Sequence, residues 1–74
     1  MDLRRGGQRL AKLILGRQSD TLNVTHQQLA DELGSVREIV SRLLKGFAAQ
    51  GLVSLGREQL TVTDRGGLGK LAAL

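Results

Sequence analysis

Hydrophobic positions fall into two periods along this chain. Leu10, Leu13 and Ile14 stand at i, i+3 and i+4, the spacing of one helical face. The pair Gly6-Gly7 precedes that face, Gly16 marks its end, and Arg17 to Asp20 reads as a loop. Leu22-Asn23-Val24 alternates and suits a very short strand or an extended lead-in. Thr25 then opens a Thr-x-x-Gln capping box with Gln28, and the helix behind it carries Leu29, Ala30 and Leu33. Gly34 stops that helix. Ser35 follows at once and is expected to open a second box with Glu38. The next helix is long, about fifteen residues by pattern, with Gly51 as its natural stop. After Gly51 the period shortens. Leu52, Val53 and Leu55 predict one strand and Leu60 to Thr63 another, joined by a hairpin tip over Gly56 to Gln59. Asp64 is placed to cap a last helical turn carrying Leu68, Leu71 and Leu74. Gly66, Gly67 and Gly69 should weaken that turn, at roughly 1 kcal/mol each in a helix interior.

The resulting order is helix, helix, tight turn, long helix, hairpin. It predicts a single domain over 1–74, mainly α with a small β-hairpin wing. The architecture is a winged helix-turn-helix of three helices and a two-stranded wing. The paired helices should cover about 26–33 and 36–50, and the wing about 52–63. The predicted core is Leu29, Leu33, Ile39, Val40, Leu43, Leu44, Phe47, Leu52 and Val62.

The long helix separates cleanly by face. At roughly 100° per residue, with Arg37 at zero, Ser41, Lys45, Glu38 and Arg42 fall near 40°, 80°, 100° and 140°. Val36, Ile39, Val40, Leu43, Leu44 and Phe47 occupy the arc from about 200° to 340°, the side expected to pack into the core. Glu38 and Arg42 also have the i, i+4 spacing of an ordinary surface ion pair, worth only roughly 0.2–0.5 kcal/mol. The same arc suits a DNA groove, since Arg addresses guanine O6 and N7 and Glu accepts from cytosine N4. The helix also stands second in the pair, where a recognition element belongs.

Charge changes the picture in the same direction. Eleven Lys and Arg against seven Asp and Glu give a net charge of +4, and eight of the eleven cations are Arg. A small basic domain points to a polyanionic partner. A single aromatic residue leaves no stacking platform, which argues against a single-stranded nucleic acid as that partner.

Residues 22–64, with His26-Gln-Gln-Leu-Ala-Asp-Glu-Leu-Gly34 and Arg37-Glu-Ile-Val-Ser-Arg-Leu-Leu-Lys45, resemble the DNA-binding domain of the cyclic-AMP receptor protein/fumarate-nitrate regulator (Crp/Fnr) family. The likeness continues through Gly51-Leu-Val-Ser-Leu-Gly56 into the wing. It implies base reading by Arg37, Glu38 and Arg42. It implies phosphate contacts at Thr25 and Gln27, and a backbone contact or an activation surface at Lys45. Ser35, Ser41 and Arg57 complete the candidate phosphate contacts. The implied function is sequence-specific DNA binding in transcription regulation, with RNA polymerase as a second candidate partner. A winged-helix protein-interaction module and a non-specific architectural DNA binder are the alternatives. Val36 departs from the family pattern, which places Ser or Thr directly before the Arg-Glu pair. The family's effector-sensing β-roll and long dimerisation helix have no counterpart in these residues. A fragment or a stand-alone module is therefore expected, a monomer or weak dimer in isolation and a dimer within a longer regulator. The remaining apolar candidates for self-association are Leu3, Leu15 and the Leu68/Leu71/Leu74 stripe.

Other chemistry finds little support. The absence of cysteine excludes disulfides and thiolate metal sites and fits a reducing compartment, with the cytoplasm as the expected location. Leu13-Ile14-Leu15 is far too short for a membrane span. Gly67-x-Gly69-x-x-Ala72 superficially resembles a dinucleotide fingerprint, but only two residues follow it, too few for the second strand that fingerprint needs. His26 is expected as a surface residue or phosphate neighbour. No nucleophile–base arrangement is evident, so no enzyme activity, cofactor or metal is expected.

Overall fold

The computed structural model describes residues 3–17 and 19–73, with side chains from Gly6 onward. Four helices and three short strands follow in the order α1 (Leu3–Leu15), β1 (Thr21–Leu22), α2 (His26–Leu33), α3 (Arg37–Ala49), β2 (Val53–Gly56), β3 (Gln59–Val62) and α4 (Arg65–Ala72). The fold is the winged helix-turn-helix read from the pattern, with one helix and one strand added.

The extra strand comes from the Leu22 lead-in. β1 joins the edge of the wing, so the antiparallel sheet runs β1-β3-β2. Leu22 faces Leu60, Leu60 faces Leu55, and Val62 faces Val53. This register puts the apolar residues on one side, against the helices, where Leu22, Val53, Leu60 and Val62 are all buried.

The extra helix is α4. Asp64 caps it by accepting from the Gly67 backbone N–H at 2.9 Å. Its three glycines predict a weak turn. Instead α4 packs along α1, and Leu68 is completely buried. Burial of Leu68 and Ala72 offsets the poor intrinsic propensity. A Cβ at Gly67 would lie 2.6 Å from Asp64 Oδ2 and 2.7 Å from Leu52 Cδ2, so both side chains would have to shift to admit one. The stripe proposed for self-association is therefore spent on the core: Leu68 is buried, Leu71 packs against it, and Leu74 lies outside the described residues. Leu15 likewise packs against the core, and the side chain of Leu3 lies outside the description.

α1 starts earlier than its apolar face suggested. Gly6 and Gly7 lie inside it, facing Leu43 and Phe47 of α3. Leu10, Ala11 and Ile14 are wholly buried. The core thus centres on α1, α3 and the sheet. Of the predicted core, Leu29, Leu33, Val40, Leu44, Phe47, Leu52 and Val62 are buried, while Ile39 and Leu43 are only half-buried.

The turn between α2 and α3 differs in one respect from the double capping box. The first box is present: Thr25 Oγ1 accepts from Gln28 N–H at 3.0 Å, and Gln28 Oε1 accepts from Thr25 N–H at 2.8 Å. The second is absent. The N-cap of α3 is Val36, with no side-chain cap bond. Ser35 is held one residue too early, its N–H closing on the Ala30 carbonyl at 2.9 Å. Glu38 then falls at the second helical position, not the third that a box needs. Gly34 makes this turn possible, with φ +69, a left-handed conformation costly for residues with a Cβ. Arg9 of α1 donates to the Leu33 carbonyl at 2.8 Å, satisfying a carbonyl that α2 leaves free and tying α1 to the paired helices.

Candidate nucleic-acid interface

Packing of Val40, Leu44 and Phe47 fixes the roll of α3 and turns its opposite face to solvent. Arg37, Glu38, Ser41, Arg42 and Lys45 line one shallow, open depression along that face. The five residues of the predicted polar arc are thus brought together. Arg42 and Glu38 lie 3.9 Å apart, with 67% and 83% of their side chains exposed. That is a loose pair in water, which leaves both side chains free for a partner.

The remaining candidates sit around this face. Thr25, His26, Gln27 and Arg37 line a second depression together with Glu58 from the wing. Thr25 Oγ1 accepts from Gln28, so its hydroxyl proton remains available as a donor. Gln27 donates to Asp31 at 2.9 Å along the same helix and is exposed. Ser35 is half-buried in the turn, without the capping role expected of it. Arg57 and Glu58 form the exposed two-residue tip between β2 and β3. Glu58 has φ +54, the only positive value outside glycine among the described residues. The tip therefore brings an acid, Glu58, to the neighbourhood of the paired helices.

Two features of the site were not read from the sequence. His26 Nδ1 and Ser41 Oγ share a hydrogen bond of 2.6 Å, its direction set by the imidazole tautomer. This bond links the first turn of α2 to the polar arc of α3, across fifteen residues of sequence. Burial, then the positive charges of Arg37 and Lys45, hold His26 below the ordinary histidine pKa and disfavour the protonated ring. The second feature is Glu58, whose approach depends on wing geometry that no local pattern carries.

Val36 is a correction to the helical wheel. The wheel assigns it to the core side, yet 57% of its surface is exposed. Its backbone is extended, φ −109 and ψ 149, so its side chain does not follow the helical period.

Among the described residues no group of His, Asp and Glu could hold a metal ion. No described helix is long and apolar enough to cross a membrane.

Known proteins share this arrangement. Residues 8–71 match the Crp-like helix-turn-helix domain. A protein of Eubacterium rectale assigned to the Crp/Fnr family of transcriptional regulators superposes with a TM-score of 0.89 and 33% identity, over 92% of this chain and 33% of its own. The catabolite activator protein of Thermus thermophilus superposes with a TM-score of 0.78 and 31% identity, over 96% of this chain and 33% of its own. The CO-dependent transcription factor CooA of Carboxydothermus hydrogenoformans, at 22% identity and a TM-score of 0.81, shares the fold. No curated protein matches the sequence. The chain spans about a third of the length of the first two regulators. With the double-helix turn, the exposed basic arc and the wing all in place over residues 8–71, the chain belongs to the Crp-like helix-turn-helix domain family of transcription regulators.

Proposed function

We propose that this domain binds double-stranded DNA sequence-specifically, as the DNA-reading part of a Crp/Fnr-type regulator, with α3 in the major groove. The observation that carries this reading is the single solvent-facing side that Arg37, Glu38, Arg42 and Lys45, with the half-buried Ser41 between them, form on the second of two paired helices. Arg37 and Arg42 have the planar donor forks that fit guanine, and Glu38 has the acceptor that fits cytosine N4. Thr25 and Gln27 flank that face at the start of α2 and supply phosphate contacts. Lys45, Ser41 and Arg57 complete the backbone contacts, while Ser35 contributes through the turn. Within a longer regulator the domain works as a two-fold pair on half-sites one helical turn apart.

The test is a salt-titrated binding series on a selected duplex and on random duplexes. Preference for the selected duplex, lost in Arg42→Ala, supports base reading. Equal affinity for all duplexes with the same salt slope supports charge-only binding, and no binding to either supports a protein-interaction module.

A further inference from the structure

Val36 is the one large hydrophobic side chain left exposed among the described residues. It occupies the N-cap of α3, directly before Arg37, at the end where a recognition helix meets base edges. Its extended backbone keeps it out of the core that its helical-wheel position would give it. The carbonyl of Val36 accepts from the Ile39 and Val40 N–H groups, and its side chain caps nothing. What it offers a partner is therefore its two methyl groups alone. The neighbouring face is entirely polar, being made of Arg37, Glu38, Ser41, Arg42 and Lys45. Those groups address guanine, cytosine and phosphate. None supplies the apolar contact that distinguishes thymine, whose 5-methyl group projects into the major groove.

We propose that Val36 is a specificity-determining residue that packs against the 5-methyl group of a thymine, next to the base pair addressed by Arg37. The inference rests on the reading of α3 as the recognition helix and adds a base that the polar arc does not read. A hydroxyl residue here would offer a donor to phosphate, a contact that carries no sequence information. Valine at this position thus exchanges a positioning contact for a base contact.

The experiment starts from a duplex selected by the full chain from a random pool at low salt. Each thymine of that duplex is replaced in turn by deoxyuridine, which lacks only the 5-methyl group. Affinities are measured for the wild type and for Val36→Ala. One replacement, beside the Arg37 base pair, is expected to weaken the wild type about fourfold, the effect of one methyl group removed from contact. Val36→Ala should bind the thymine duplex about fourfold more weakly and lose its sensitivity at that same position. Thermal melting of Val36→Ala checks that the fold is kept, as expected for an exposed side chain. If wild type and variant respond alike at every thymine, or if no replacement matters, the inference is overturned while the preferred duplex still supports sequence-specific binding. A pool that yields no preferred duplex overturns both.

Discussion

At the scale of single residues, Arg42 and His26 make opposite demands on the surrounding structure. Arg42 is held only by a loose exposed contact to Glu38, so its guanidinium is free to form a bidentate pair with a guanine. Arg42→Ala should cost about 1–3 kcal/mol on the selected duplex and relax the preference at one G·C pair. Equal weakening on random duplexes would assign it to phosphate instead. His26 is fixed to Ser41 and faces the cations Arg37 and Lys45, with Glu58 across the same depression. Its folded pKa lies below the unfolded one, near 6.5, so once the pH falls past that value the folded state binds fewer protons than the unfolded state. The contribution of His26 to stability is therefore full above about pH 6.5 and declines below it. A DNA phosphate beside His26 would act in the other direction, offsetting the two cations and raising the pKa. Binding should take up a proton and strengthen from pH 7 to pH 5.5, after allowance for stability. His26→Gln should flatten that dependence. An affinity that is constant over this range in the wild type would place His26 away from any phosphate.

At the scale of elements, helix ends and packing compete for control. Thr25 caps α2 through a complete box, and Thr25→Ala should destabilise the fold by about 0.5–2 kcal/mol. Val36 provides no side-chain cap, so α3 depends on its buried face of Val40, Leu44 and Phe47. Phe47→Ala should cost roughly 3–5 kcal/mol, read as a shift of the urea midpoint at constant slope. An unchanged midpoint would show that the ring is not part of the core. α4 makes the same point more sharply. Three of its eight residues are glycine, yet its place against α1 buries Leu68 fully. Leu68→Ala should therefore cost about 2–5 kcal/mol, where a frayed terminal turn would tolerate the change within a few tenths.

At the scale of the whole molecule, the core consumes nearly every apolar surface. Leu10, Ile14 and Leu68 are fully buried, and Leu13, Leu15 and Leu71 pack against them. Only Val36 remains as a large exposed hydrophobic side chain among the described residues, and it lies on the proposed DNA face. The isolated domain should accordingly sediment as a monomer at low micromolar concentration. A tight dimer there would reveal an interface that the buried apolar stripes do not supply. One recognition helix contacts only a few base pairs. A single half-site should therefore be bound with a dissociation constant of roughly 10⁻⁴ to 10⁻⁶ M at physiological salt. Joining two copies through a linker long enough to span two half-sites should raise affinity steeply through effective concentration. Nanomolar binding of the monomer would contradict this.

The sequence by itself determined the paired helices, the wing and the polar arc, because these follow from local rules. Thr25 with Gln28 specifies a helix start, Gly34 and Gly51 specify stops in left-handed backbone, and a period of 3.6 sorts Arg37, Glu38, Ser41, Arg42 and Lys45 onto one side. Tertiary structure decided what depends on contacts distant in the chain. β1 is a strand only because β3 lies beside it, and α4 is an ordered helix only because α1 covers it. The bond from His26 to Ser41 joins two elements whose separation no spacing rule encodes. Ser35 and Val36 lie between these cases. The capping-box pattern placed the helix start one residue early, because Ser35 N–H is drawn back to the Ala30 carbonyl by the left-handed turn at Gly34. That shift of one residue moved Val36 out of the core pattern and onto the solvent-facing surface beside Arg37.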